Sequence, residues 1–193
     1  MEINSFGDLY KITTSKNLVE YLQNLGMLKS NFPCKNCRQT CFLQTDSNNT
    51  IINTTFYCPN CKNTFSVLDG SFFESAKMPV SNILHLMWMW ACEINTESAA
   101  QSMGMKKNIV VEQFRSFRGV IRWKLSQNKK LLQLGGPGHV VQIDKILLIR
   151  LRTKNNEVKQ KLVISMYDTT TKKGYVQQIY NKTPGEATSI VEL

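Results

Sequence analysis

The chain has 193 residues, 42% of them hydrophobic, which is enough to build a packed core and argues against wholesale disorder. Lys and Arg number 24 against 14 Asp and Glu, a formal charge of +10, and a surplus of that size points to a polyanionic partner. No apolar run approaches the roughly 18 residues of a membrane span, and no basic-then-apolar leader opens the sequence, so an intracellular protein is expected. Six cysteines in such a chain suggest a metal or free thiols rather than a disulfide framework.

Ser15 is expected to cap a helix running to about Leu28, with Leu18, Leu22 and Leu25 on one face and Gly26 near its end, giving a helical segment over 1–30. Residues 31–74 read as short strands around paired cysteines. Cys34-x2-Cys37 is followed by a 20-residue spacer and then Cys58-x2-Cys61. Two thiolates two residues apart reach one ion from a tight turn, and two such knuckles complete a tetrahedron of sulfurs. The spacer holds Cys41–Thr45 and Ile51–Tyr57, which suit a hairpin that joins the knuckles. The alternatives are four unrelated core thiols or a redox-active pair, and the doubled spacing favours structural Zn²⁺ over both. Cys41, Cys92 and His85 are expected to serve packing rather than ligation.

Residues 75–133 change to helical periodicity. Ser81 is expected to cap Asn82–Glu93, a helix apolar almost all round and therefore central. Thr96 is expected to cap Glu97–Met103, ending at Gly104, and a longer helix follows from about Asn108 to Lys130. Short helix, glycine turn and longer helix outline a helix-turn-helix. Positive charge concentrates here: residues 101–133 hold eight Lys and Arg against Glu112 alone, whereas residues 1–100 hold seven against eight acids. At 100° per residue, Arg118, Arg122 and Lys129 fall about −60°, −20° and −40° from Arg115, a stripe about 60° wide. Val110, Phe114, Phe117 and Ile121 form a separate apolar face expected to pack inward. The stripe reads as an anion-binding surface, with Lys106, Lys107, Lys124 and Lys130 adding charge. A solvated charged face is the alternative.

Gly135-Gly136-Pro137-Gly138 breaks the chain. Three β-rich runs follow over 134–193, namely Val140–Leu151, Lys161–Tyr167 and Gly174–Tyr180, and Pro184–Leu193 begins like a helix. The whole is α+β.

Phe65–Phe73 (FSVLDGSFF) after the second knuckle, then Lys77-Met78-Pro79, then Gly135–Asp144 (GGPGHVVQID), together resemble the ISXO-two-like transposases. That family shows a zinc ribbon, an FS-x-x-G-T-x-F segment, a K-x-P helix start, a helix-turn-helix and G-G-P-G-x-V-V-E-I-D-E. The resemblance runs from about Leu18 to Leu193. It implies a catalytic domain similar to RNase H, here as an incomplete β-meander, with Asp144 as the first carboxylate of a metal-binding triad. Gln142 and Lys145 stand where the family has acidic residues. The positions of the second and third carboxylates lie past Leu193, and Asp168, Glu186 and Glu192 are not expected to replace them. The resemblance therefore implies a zinc-dependent protein that binds double-stranded DNA, such as an element's terminal repeats, without catalysing phosphoryl transfer. Mg²⁺ is expected only with a complete catalytic domain. A homo-oligomer is an expected state, no membrane is an expected partner, and a eukaryotic host would place the protein in the nucleus. A transposase fragment and a zinc-ribbon protein-interaction module are the alternatives.

Overall fold

The computed structural model describes residues 3–127, 133–152 and 158–179. It is a mixed helix and sheet protein, α+β in class, whose chain divides into two compact units, Met1–Gly119 and Val120–Leu193.

The first unit opens with two short helices, α1 (Phe6–Thr14) and α2 (Leu18–Asn24), where one helix from Ser15 was expected. Ser5 is the cap that begins α1, its hydroxyl accepting from the Asp8 N–H, and Ser15 instead ends that helix. The expected helix corresponds to α2, which begins after Asn17 rather than Ser15 and ends at Asn24, and α1 is an additional helix whose Leu9 and Ile12 bury an apolar face.

Three short strands follow, β1 (Phe42–Thr45), β2 (Thr54–Tyr57) and β3 (Thr64–Ser66), forming one antiparallel sheet in the order β1-β2-β3. The first two make the expected hairpin, with Phe42 opposite Tyr57 and Thr45 opposite Thr54. The third strand adds Phe56 opposite Phe65. Strands of four, four and three residues bury little on their own. Phe56, at 2% exposure, stacks on Phe32 at 5.0 Å and links the sheet to the core.

Three helices follow, α3 (Val80–Ala91), α4 (Thr96–Met103) and α5 (Lys107–Ser126), the last running past Gly119, where the first unit ends. Pro79, not Ser81, stands at the start of α3, where its fixed φ and missing N–H cost nothing. Val80, Ile83, Leu84, Leu86 and Met89 of α3 are buried, while Met87, Trp88 and Trp90 are half-buried, so α3 is central as its composition predicts. Asn95 caps α4 by accepting from the Ser98 N–H, and Gly104 closes it in the left-handed conformation at φ 61°. Helix α5 buries Val110, Phe114 and Phe117 in the same core cluster as Phe56, Phe73, Val80 and Leu86.

Two expectations about these helices change. Cys92 is exposed at the end of α3 rather than packed, because the helix terminates there. Ile121 continues the inward face of α5 by angle yet is 49% exposed, with Val120, Trp123 and Leu125 also open. Helical angle fixes which side a residue takes; burial requires a partner there, and the core cluster stops at Phe117.

The second unit holds a meander, β4 (Val141–Arg152), β5 (Val158–Asp168) and β6 (Lys173–Ile179), antiparallel in the order β4-β5-β6. The three runs fall where expected. Ile164 and Met166 are its small buried core, with Leu134, Val141, Leu162 and Tyr175 packed against them. The segment expected as a final helix, Pro184–Leu193, lies outside the described residues, as do Glu186 and Glu192.

Candidate metal centre and basic helix

The two cysteine knuckles are built alike. In each, the N–H of the residue after the second cysteine donates to the carbonyl of the first: Arg38 to Cys34 and Lys62 to Cys58, both at 2.9 Å. In each, the first cysteine's N–H donates to a carbonyl five residues on, Cys34 to Gln39 at 2.8 Å and Cys58 to Asn63 at 2.9 Å. The turn closes through a left-handed residue, Arg38 at φ 62° and Lys62 at φ 57°. Non-glycine residues pay a steric penalty there, so the ring of hydrogen bonds must hold them.

These turns aim four thiols at one point. Cys34 Sγ lies 3.3 Å from Cys61 Sγ, and Cys37 Sγ lies 3.5 Å from Cys58 Sγ and 3.9 Å from Cys61 Sγ. All four sulfurs fall within 4.8 Å of one another. A disulfide would need about 2.05 Å, and these cysteines are free. Zn–S bonds of about 2.3 Å at tetrahedral angles put the sulfurs about 3.8 Å apart, so the spacing fits one ion with four sulfur ligands. A closed four-thiolate shell has no open coordination position and suits structure rather than catalysis. The cluster is consistent with structural zinc.

The protonation of the group reflects its crowding. Burial pushes the Cys34 thiol up, but the N–H groups of Cys37 and Asn36 outweigh it and bring it down to about 6. Backbone N–H donation from Cys61 likewise lowers Cys58. Cys61 is pushed up to about 12 because its thiol hydrogen bonds to Cys34 and Cys58. A dication bound by thiolates displaces the thiol protons, so metal binding by this group is pH-dependent. Cys41 is buried, is pushed up to about 11 by that burial, and lies outside the four-sulfur group. Cys34 and Cys58 sit at 1% and 0% exposure within the main core cluster, so the metal ligands and the helices share one interior.

His85 is a structural histidine. Its Nε2 is hydrogen-bonded to the Thr13 hydroxyl at 2.8 Å, and that hydroxyl also lies 3.1 Å from the Tyr10 carbonyl. Phe6 and Tyr10 flank the ring, with centroids at 5.3 and 6.2 Å, and burial lowers its pKa.

The basic residues divide. Arg115, Arg118 and Arg122 are exposed along α5, in a stripe whose centre the angles place about 100° round the helix from its buried face. Lys106 and Lys124 are exposed as well, Lys124 falling about 180° from Arg115 and hence off the stripe. Lys107 forms an ion pair with Glu97 of α4, so part of its charge is used within the fold. Lys129 and Lys130 lie outside the described residues.

Asp144 is exposed on β4 opposite Ser165, its Oδ1 accepting from the Lys145 N–H at 2.7 Å. Among the described residues, the only His, Cys, Asp and Glu group able to hold a metal is the four cysteines. Asp168 has a different role. It is fully buried, and its Oδ2 meets His139 Nδ1 at 2.9 Å and the Gly135 N–H at 3.1 Å. Its Oδ1 accepts from the Thr170 and Thr171 N–H groups at 2.9 and 3.1 Å. The carboxylate therefore ties the glycine-rich 135–138 segment to the turn after β5. His139, first among these donors, holds its pKa far below the usual carboxylate range. Sequence reasoning set Asp168 aside as a catalytic carboxylate but missed its partners, since His139 lies 29 positions away.

No helix among the described residues is long and apolar enough to cross a membrane. No protein-family model, curated protein or solved structure matches the chain.

Proposed function

We propose that this chain is a zinc-ordered protein that binds double-stranded DNA through α5, in the manner expected of a protein derived from an ISXO-two-like transposase. The observation that carries this reading is the exposed row Arg115, Arg118 and Arg122 on a helix whose other side, Val110, Phe114 and Phe117, is anchored in the cluster containing Cys34 and Cys58. Metal, core and basic helix are thus mechanically linked. The short helix α4, the left-handed Gly104 and the long α5 supply the outline of a helix-turn-helix, whose second helix meets DNA. Arginine serves both phosphates and guanine edges, so this row supports affinity and leaves the target sequence open to measurement.

Fluorescence anisotropy of the zinc-loaded chain with duplex DNA across a salt series tests it. Each phosphate contact contributes about −0.9 to the slope of log affinity against log salt. Replacing Arg115, Arg118 and Arg122 together by Ala should reduce the slope by about 2.7, and chelation should weaken binding by disordering the helix. Binding untouched by both changes would remove the basis of the proposal. No duplex binding by the folded, zinc-loaded chain would favour a protein-interaction module.

A second reading, metal-dependent phosphoryl transfer on DNA, is favoured by one observation. Asp144 lies mid-strand on the first strand of a three-stranded antiparallel meander, the position the transposase resemblance gives its first carboxylate. Mg²⁺-dependent strand cleavage abolished by Asp144→Asn would decide for it.

A further inference from the structure

Five of the six cysteines belong to one core cluster, although only four of them converge. The fifth, Cys41, is buried at 5% exposure, and backbone register decides which thiol it faces. The β1–β2 ladder sets Phe42 opposite Tyr57, so one step further along both strands sets Cys41 against Cys58. The Cys41 N–H donates away from β2, to the Phe32 carbonyl at 3.0 Å. The Cys58 N–H donates away from β1, to the Asn63 carbonyl at 2.9 Å. Neither N–H is spent on the facing strand, which marks a non-hydrogen-bonded antiparallel pair. In such a pair the Cα atoms lie about 4.5 Å apart and the two side chains leave the sheet on the same face. Disulfides span Cα separations of about 4.4–6.8 Å, so this pair suits an S–S bond. Burial first, and then the charges of Cys58 and Cys34, push the Cys41 thiol up, as nearness to both requires.

The cysteines also differ in what a metal would leave free. An ion held by Cys34, Cys37, Cys58 and Cys61 leaves Cys41 as the uncommitted thiol beside a ligand. Cys37 and Cys61 are half-buried and form the accessible side of the cluster, whereas Cys34 and Cys58 are closed off.

We propose that Cys41 is the resolving thiol of an oxidation site: hydrogen peroxide is reduced at the thiolate cluster, Cys41 and Cys58 end as a disulfide, and the chain gives up its metal. The proposal rests on the zinc-ordered reading of the first unit and not on DNA contacts. The Cys37 thiolate attacks peroxide; an S–O bond forms, the O–O bond breaks and hydroxide leaves, giving a sulfenic acid. Cys58, whose sulfur lies 3.5 Å from that of Cys37, attacks it; an S–S bond forms and a second hydroxide leaves. Cys41 gives its proton to one hydroxide and attacks the Cys58 sulfur, and Cys37 departs as thiolate. In sum, the Cys41 thiol, the Cys58 thiolate and one peroxide give the disulfide, one water and one hydroxide. Two electrons pass from the two sulfurs to the peroxide oxygens. Exchange runs toward Cys41 because the knuckle turns hold Cys34–Cys61, Cys37–Cys58 and Cys37–Cys61 sulfurs at 3.3, 3.5 and 3.9 Å, a metal's spacing. A disulfide between ligands needs about 2.05 Å and must distort those turns, whereas the cross-strand pair already has the Cα spacing it needs. Cys58 is then lost as a ligand, while the new bond ties β1 to β2 and keeps their register for reduction and reloading.

The test treats the full zinc-loaded chain with one equivalent of hydrogen peroxide. Metal release is followed with a chromogenic zinc indicator, remaining thiols are blocked, and the linkage is mapped by mass spectrometry. The unmodified chain should release its zinc, lose two of its six thiols and carry Cys41 joined to Cys58. Dithiothreitol with added zinc should restore the metal content. Cys41→Ser should load one zinc per chain, and its oxidation should stop at Cys37 joined to Cys58. Cys41→Ala should behave as Cys41→Ser does, which covers the case of a serine too polar for the interior. A linkage confined to the four ligands in the unmodified chain, with Cys41 open to the blocking reagent, overturns the proposal. Retention of zinc through the treatment also overturns it. Failure of both Cys41 variants to load zinc would make Cys41 a ligand and overturns it too. An unmodified chain that binds no zinc removes the metal reading along with this inference, whereas zinc loading followed by the wrong linkage removes this inference alone.

Discussion

Removing the metal, or one ligand by Cys58→Ser, should disorder far more than the two knuckles. Cys58 is fully buried, and the sheet it anchors consists of strands of four, four and three residues. A sheet of that size has little capacity to hold itself together. Structural zinc in small thiolate domains contributes an apparent 10–16 kcal/mol or so, comparable with the roughly 5–15 kcal/mol net stability of a whole domain. The sheet's Phe56 belongs to the same cluster as Phe73 beyond it and Val80 and Leu86 on α3, so its loss opens that interior. Trp88 and Trp90 on α3 are half-buried reporters of the change, whereas Trp123 is already exposed. One zinc per chain is expected by elemental analysis, and cobalt should give the visible bands of a tetrahedral thiolate site. Chelator should shift the tryptophan emission to the red and abolish the cooperative melt, and re-addition of zinc should restore both. Cys58→Ser should weaken zinc binding more than about 100-fold, beyond the 10- to 100-fold typical of losing an outer-shell partner. A chelated chain that keeps its emission and melting temperature would refute the metal as a structural element.

Two further outcomes follow from the packing. Phe73 is fully buried in the main cluster, and Phe73→Ala should destabilise the first unit by about 3–5 kcal/mol, read from the shift in urea midpoint at constant slope; a shift below about 1 kcal/mol would contradict its central place. Asp168 has a folded pKa below its unfolded value of about 3.9, so its stabilisation is present above pH 4 and is lost as pH falls through the folded value. Asp168→Asn should lower the melting temperature of the second unit at neutral pH and flatten its dependence on acid below pH 4. An unchanged acid profile would show that the clamp on His139, Gly135 and the Thr170–Thr171 turn contributes nothing.

Much of the metal centre was legible in the chain itself. A ligand pair two residues apart lies on one tight turn whatever surrounds it, so Cys34, Cys37, Cys58 and Cys61 could be assigned together, and the structure converges all four. The hairpin spacer, the apolar α3, the Gly104 stop and the three strands after the glycine-rich break were legible for the same reason, since each depends on neighbours within a few residues.

Only tertiary structure decided the rest. A cap is chosen by where an apolar face finds cover: Ser15 ends a helix that buries Leu9 and Ile12, and the expected helix begins at Asn17 instead. Ile121 has the angle of a core residue but no partner, Lys107 has the charge of a ligand-binding residue but is paired with Glu97, and Cys92 ends its helix in the open. Nothing near Asp168 in the sequence marks it as a buried clamp, because His139 and Gly135 close on it from 29 and 33 positions away. Spacing along a chain fixes direction and local reach; burial, pairing and the state of a charge are set by whatever distant segment folds against it.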